Sequence, residues 1–391
     1  MFIKHCIVGG GISGLYIALQ LHLLQQPFCI LEGSEKPHTK LESTSVDQGI
    51  LEMGASVFHS SQHQLLSMID KFGLTSKIKR VKQPLRESIK IISTPEEDTH
   101  DVYAYFECIK QHLADASESS KDKTIDELAH ELLDDYCYQT LVDGWDCWYE
   151  VKDMNAHVFF QAEAKQGRLF MLEGGLKQLI KKGWEMFEDE IQTNFAVQKI
   201  ERKQVTSTKQ SLYYISGQEG GIVTCQHVYV CIGLEHIPKI HFGMYQTLMN
   251  QYVELASIKS CMRYYILFEK QFEIGYDQVI GNIIGHWWIQ VYPNVWMIYC
   301  DGEEAEQMNE LTDEEIEDAV EATVQEYFQM NLPAIKRVIR GWWPTAFEVL
   351  RPSYYHEYES LVAQIPFLIT SLPHPAHQAW MEGHLYSIKS I

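Results

Sequence analysis

The sequence predicts an α/β protein in which a doubly wound, Rossmann-type domain is interleaved with an α+β domain built on an antiparallel sheet. Three observations carry that expectation. Residues 2–8 read as a buried strand that passes through a glycine-rich turn into a helical stretch over 12–24. Strand-like and helical segments then alternate as far as residue 232, the pattern of a parallel sheet covered by helices. From Ile258 the character changes to consecutive strands, a long helix and one more strand, which is the order of an antiparallel sheet with helices on one face. At 391 residues the chain is long enough for two such units.

The elements follow in order. Residues 28–31 form a second short strand ending at Glu32, and 33–48 read as a polar loop. Residues 64–72 have helical spacing, with Gly73 as the C-terminal cap. The stretch 94–123 is rich in Ser, Asp, Glu and Lys and reads as a solvated excursion. Thr124 and Glu127 make a capping box ahead of Leu128, Leu132 and Leu133, so a helix starts there. Gly174-Gly175 lead into a helix reaching about Phe187, and strands are expected near 195–201, 212–216 and 227–232. Further on, 261–268, 282–292 and 295–300 read as strands, the last two joined through Pro293-Asn294. A second capping box, Thr312 with Glu315, opens an acidic helix to about Met330, and 335–343 is a final long strand.

Charge narrows the function. With 53 Asp+Glu against 32 Lys+Arg the net charge is −21, which repels phosphate backbones and argues against nucleic acid as a partner. The nine cysteines show no C-x-x-C pair and no framework spacing, so reduced thiols and a cytoplasmic location are expected. No window offers about 20 uninterrupted apolar residues, and no membrane span is expected. His59 and His63, or His374, His377 and His384, lack the partners a metal centre needs, so no metal is expected.

The strongest motif is Gly9-Gly10-Gly11-Ile12-Ser13-Gly14, which matches G-x-G-x-x-G. It follows a strand, opens a helix, and is followed by an acid at the end of the next strand, 23 residues beyond Gly9. Each residue type has a reason. Gly9 permits the tight turn, Gly11 lets backbone approach a pyrophosphate, and Gly14 lets helix and strand pack closely. The helix start offers unpaired N–H groups and the positive end of its dipole to phosphates. Glu32 accepts ribose hydroxyls and would repel a 2′-phosphate, which points to an adenine dinucleotide other than NADP.

Taken with later segments, these residues resemble the flavin-containing amine oxidase family of monoamine and polyamine oxidases. Gly49-Ile50-Leu51-Glu52-Met53-Gly54-Ala55 is similar to that family's D-L-G-G/A segment near the flavin. The segment 64–74, Gly174-Gly175-Leu176 with Leu179, the Thr193–Lys199 stretch that would bring Val197 to the adenine, and 227–232 fit in the same order. Trp380-Met381-Glu382-Gly383 resembles the closing helix, whose N-terminus faces the flavin pyrimidine. The resemblance implies FAD as the cofactor. Because no cysteine lies beyond 300 to form the C-terminal linkage of some relatives, the FAD is expected to be non-covalent.

The chain also departs from the family. The usual G-G-R falls on His38-Thr39-Lys40, where Lys40 can meet a phosphate as a point charge without the arginine fork. The late A-G-E, whose acid holds the ribityl chain, falls on Thr370-Ser371-Leu372. The lysine that holds a water at flavin N5 falls near Arg263, which can hydrogen-bond but cannot deprotonate. Trp380 aligns with one wall of the family's aromatic cage, with Trp342, Trp343 or Phe347 as candidates for the other. Trp342 and Trp343 also read as strand-borne core. Of the adjacent Trp287 and Trp288, strand geometry lets at most one line a cavity, and Trp296 follows on the next strand.

The resulting expectation is an FAD-dependent oxidoreductase acting on a small-molecule substrate, an amine or a related C–H bond, with dioxygen as electron acceptor. Two alternatives stay open: a flavin desaturase or isomerase on the same fold, and a flavin-fold binding or scaffold protein without turnover. Residues 1–62, 167–255 and 360–391 are expected to form the FAD-binding domain, and 63–166 and 256–359 the substrate domain.

Overall fold

The computed structural model describes residues 2–37, 39–81, 88–92, 102–115, 122–145, 147–163, 167–204, 211–373, 381–386 and 388. The strand Phe2–Val8 lies at the centre of a seven-stranded sheet. It pairs in parallel with Ile222–Val230 on one side and Phe28–Leu31 on the other, and Phe28–Leu31 pairs in parallel with Ile191–Gln192. Leu368–Ile369 adds to Ile222–Val230 in parallel, while Ser211–Gly217 and Val197–Gln204 extend the sheet as an antiparallel meander.

The part of the strand covered on both faces is apolar at Cys6, Ile7 and Val8. Ile7 packs with Leu15 and Ile17 of the Ile12–Leu23 helix and with Leu179 and Ile180 of the Lys177–Met186 helix. Cys6 and Val8 face the other way, toward Met249 and Tyr252 of the Gln246–Glu254 helix and Leu361 of the Tyr355–Gln364 helix. Each fully buried aliphatic side chain contributes roughly 1.5–3 kcal/mol against leaving it exposed. The sheet is thus covered on both faces, as a doubly wound domain requires.

The second sheet has six strands in the order Ile335–Leu350, Ala256–Phe268, Val295–Asp301, Trp287–Tyr292, Gln278–Gly281 and Ile89–Ile92. All its pairs are antiparallel except the last, in which Ile89–Ile92 runs parallel to Gln278–Gly281. The pleat sorts its side chains. Met262, Tyr264, Ile266 and Phe268 pack under the Gly302–Asn309 and Asp313–Phe328 helices. Cys261, Tyr265 and Leu267 face Leu51 and Met53 of the segment before Gly54. Both capping boxes form as the sequence predicts, with Thr124 and Glu127 on Ile125–Leu132 and Thr312 and Glu315 on Asp313–Phe328.

Three expectations are corrected. The stretch 33–48 is not all loop, because Ser43–Val46 pairs antiparallel with Gly49–Glu52 in a half-buried ribbon whose Ser and Thr residues hid it. Within 94–123, Val102–Asp115 is a helix whose Val102, Phe106, Ile109 and Leu113 are buried. Their helical spacing outweighs the polar composition, and Phe106 stacks on Trp145 with ring centroids 3.7 Å apart. The strand expected over 282–292 begins at Trp287, because Gly285 (φ +72°) and His286 (φ +49°) turn the chain just before it.

Candidate functional site

The glycine turn has the strain the motif implies. Gly9 has φ +105°, and a Cβ there would stand 2.3 Å from the Cys231 carbonyl oxygen. One on Gly14 would stand 2.0 Å from the Gly9 carbonyl oxygen, whereas one on Gly11 meets nothing within 4 Å. Gly11 is also the N-cap of the Ile12–Leu23 helix and supplies no side-chain cap. The helix therefore starts on open space at Gly11, where its first-turn amides at Ile12, Ser13 and Gly14 have no i−4 acceptor within the helix.

Glu32 closes the other side of this space. Its Oε2 accepts the Gly10 N–H at 2.8 Å, and its Oε1 accepts the Ser34 N–H at 2.9 Å and the Ser34 hydroxyl at 2.7 Å. A carboxylate offers about four lone-pair directions, so acceptor capacity is left on Oε2. The two residues before Val197 reach Glu32 and Gly33: Phe195 N–H donates to the Glu32 carbonyl at 2.8 Å and Ala196 packs against Gly33, while Val197 itself packs with the core on the Cys6 and Val8 side. Sequence reasoning missed two supports. Ser34 is one, legible as a small hydroxyl two residues after the acid. Trp184 is the other; its Nε1 donates to the Gly10 carbonyl at 3.0 Å from a helix with no local sequence link to the motif.

A second group of predicted residues meets around Gly54. Lys40 carbonyl accepts the Ala55 N–H at 3.0 Å, and a Cβ on Gly54 would stand 2.0 Å from that oxygen. Arg263 Nη1 donates to the Glu52 carbonyl at 2.9 Å and to the Gly54 carbonyl. Tyr265 hydroxyl also donates to the Glu52 carbonyl, at 2.5 Å, and Trp343 Nε1 donates to the Met53 carbonyl at 2.6 Å. Three side chains of the second sheet thus hold three successive carbonyls. Burial opposes the charge on Arg263, but the Tyr265, Cys261, Tyr299 and Glu52 groups together raise its pKa above the ordinary value. Its Nε is buried with no hydrogen-bond partner. Glu52 accepts from Leu176 N–H at 2.8 Å and from the Ser43 hydroxyl, and burial raises its pKa against those bonds.

The tryptophans divide by pleat. Trp288 donates to the Ile284 carbonyl at 2.6 Å and Trp296 to the Phe272 carbonyl at 3.0 Å, both in the helix-covered core that Trp342 also joins. Trp287 and Trp343 lie on the face of Arg263, with the Trp287 ring edge-on to Tyr299 at 5.8 Å. Ile12, Ala55 and Met381 all pack against one core cluster, which joins the helix start, the Gly54 segment and the Met381–Tyr386 helix. Glu382 lies on that helix. Trp380, His374, His377 and His38 lie outside the described residues. Lys40 Nζ rests 3.0 Å from Glu348 Oε1, a partner the sequence did not suggest. Among the described residues, no cluster of His, Cys, Asp and Glu is arranged to hold a metal ion, no disulfide joins the cysteines, and no helix is long and apolar enough to cross a membrane.

The family model described as flavin containing amine oxidoreductase matches residues 12–367. The chain belongs to the flavin-containing amine oxidoreductase family. It is a flavin-dependent oxidoreductase, and the fold agrees. A putrescine oxidase structure, wild type bound to putrescine, superposes with a TM-score of 0.74 at 14% identity, over 99% of this chain and 97% of that one. Cyclohexylamine oxidase from Brevibacterium oxydans IH-35A superposes with a TM-score of 0.78 at 14% identity, over 98% and 96%. At such identities the likeness is one of fold. A search of curated protein sequences returns no match. The matched span of this amine oxidoreductase begins after Gly11 and ends before Trp380.

Proposed function

We propose that this amine oxidoreductase holds FAD non-covalently and oxidises a small amine, with dioxygen as the electron acceptor. The observation that carries the proposal is the open space at Gly11, at a helix start without a side-chain cap and beside Glu32. The residues fit the dinucleotide. Gly9, Gly11, Ile12, Ser13 and Gly14 would receive the pyrophosphate through backbone amides, Glu32 the ribose hydroxyls, and Val197 the adenine. Lys40, Gly54, Ala55, Met381 and Glu382 would border the flavin half. The buried, unpartnered Arg263 Nε supports a hydrogen-bond acceptor nearby. In this reading residues 1–62, 167–255 and 360–391 bind FAD, and 63–166 and 256–359 form the substrate side. Cysteines that form no disulfide support a reducing, cytoplasm-like compartment.

FAD, when bound, supplies a two-electron acceptor that no side chain provides. The protein's own contribution is placement. Arg263, Tyr265 and Trp343 tie down the carbonyls at 52–54, which would keep that segment in a fixed place beside bound FAD. Arg263 stays charged and therefore orients rather than abstracts a proton. The apolar and aromatic residues on its face would exclude water from a bond reacting there. Trp380 is assigned a wall of the amine pocket, and Trp380→Ala is expected to cut turnover far more than flavin content.

The test is the visible spectrum of the purified protein before and after heat release, followed by amine-dependent peroxide formation. Flavin bands freed into the supernatant, with peroxide on amine addition, support the proposal. A protein that gains no bands with FAD points to a scaffold without turnover, and flavin bands without peroxide from any amine point to a desaturase or isomerase.

A further inference from the structure

Segments that the proposed FAD reading assigns to the cofactor meet at one buried carboxylate, Glu348 on the Ile335–Leu350 strand. Its side chain is 1% exposed. Oε1 lies 3.0 Å from Lys40 Nζ, and Oε2 lies 3.6 Å from His384 Nε2. Oε2 is buried and has no hydrogen-bond partner.

The histidine does not supply the missing donor. Its Nδ1 lies 2.8 Å from the Thr370 carbonyl, an acceptor, so Nδ1 carries the proton and a neutral ring turns its Nε2 lone pair toward Glu348. Burial lowers the His384 pKa, against Glu348 and the Thr370 hydrogen bond, which raise it, and at 3.6 Å its Nε2 is beyond hydrogen-bond distance of Oε2. A buried carboxylate oxygen without a donor is costly, so a group from outside the chain is called for.

The position narrows that group. Two residues beyond Glu348, Leu350 packs in the core of the first sheet, while Trp343 on the same strand holds the Met53 carbonyl. Glu348 therefore stands between the dinucleotide turn's sheet and the Arg263 face. Through His384 it reaches the 370–372 segment, where Thr370-Ser371-Leu372 offers no carboxylate. A phosphate has no proton to give and would be repelled. The adenosine ribose is already served by Glu32. Between the phosphates and the flavin ring, FAD offers only the hydroxyls of its ribityl chain.

Resting on the FAD reading, we infer that Glu348 is the ribityl-binding carboxylate of this protein, accepting a ribityl hydroxyl on Oε2 while Lys40 balances its charge through Oε1.

Titration of flavin-free protein with FAD and separately with ADP, which lacks the ribityl chain, tests this. Glu348→Ala should weaken FAD binding by about tenfold or more, the scale of a hydrogen bond to a charged group. ADP affinity should stay within about twofold, which reports an intact fold and phosphate end. Glu348→Gln keeps the shape and one acceptor and should fall between. Equal FAD affinity in wild type and both variants overturns the inference while leaving the FAD reading intact. Parallel loss of FAD and ADP binding in both variants also overturns it, as the role is then structural. A wild-type protein that binds ADP and not FAD overturns the FAD reading and this inference together.

Discussion

A Cβ on Gly14 would stand 2.0 Å from the carbonyl oxygen of Gly9, so the first turn of the Ile12–Leu23 helix lies directly against the strand end. Both groups are backbone and neither can rotate away. Gly14→Ala should therefore destabilise the fold by about 2–3 kcal/mol, the upper range for overpacking. A urea midpoint unchanged from wild type would remove the argument for close packing.

Gly11 is the contrasting case, since a side chain there enters open space. Gly11→Val should cost about 1 kcal/mol or less in stability, a poor N-cap replacing a fair one. The same side chain occupies the space proposed for the pyrophosphate, so the variant should purify without flavin. Full flavin content in Gly11→Val refutes that assignment.

Arg263 carries the carbonyls of Glu52 and Gly54. Arg263→Met leaves them buried without that donor and should cost about 2–4 kcal/mol, with loss of turnover. Arg263→Lys restores charge without the fork and should recover roughly half of the stability. Equilibrium unfolding of the two variants side by side gives the comparison.

Acid should weaken the protein through His5. Burial first, then the neighbouring His227 and Lys4, lower its pKa from 6.5 to about 4. Between those values the unfolded chain binds a proton that the folded one refuses, so stability falls as pH drops from 6.5 to about 4. The loss should be about 2 kcal/mol, less than the full shift because the site keeps some solvent. His5→Phe should flatten the slope in that window, with a residue from His227, whose pKa burial also lowers.

Glu304 acts with the opposite sign. Burial raises its pKa from 4.5 to about 7, against the backbone hydrogen bond from Gly285. The folded state then holds the proton that the unfolded state releases, so stability is lost as pH rises from 4.5 to about 7. Glu304→Gln should remove about 1–2 kcal/mol of that loss and leave the His5 window untouched. Unfolding of Glu304→Gln and His5→Phe beside wild type at pH 4.5 and 7.5 separates the two effects, which overlap with opposite sign in wild type.

Much of the geometry at the glycine turn was legible in the residues. The turn at Gly9, the close packing at Gly14 and the acid at Glu32 each follow from a backbone or charge requirement that one residue type meets. The alternation of side chains along a strand put Trp287 and Trp288 on opposite faces of the sheet, as found. Less legible were the elements with mixed composition: the Val102–Asp115 helix hid behind polar residues, and the Ser43–Val46 strand behind hydroxyls. In both, four or fewer well-spaced contacts outweigh the average character of the segment.

The sequence by itself determined the glycine turn, the succession of the two sheets and the capping-box helix starts at Thr124 and Thr312, because those depend on neighbours within a few residues. Only the tertiary structure decided which tryptophan shares a face with Arg263, what the Arg263 guanidinium holds, and that Lys40 and His384 converge on Glu348. Glu348 and Lys40 are 308 positions apart, and nothing local in either segment encodes the meeting. Such contacts arise where strands distant in sequence are brought into register by a common core, and a buried charge takes its meaning from what that core places beside it.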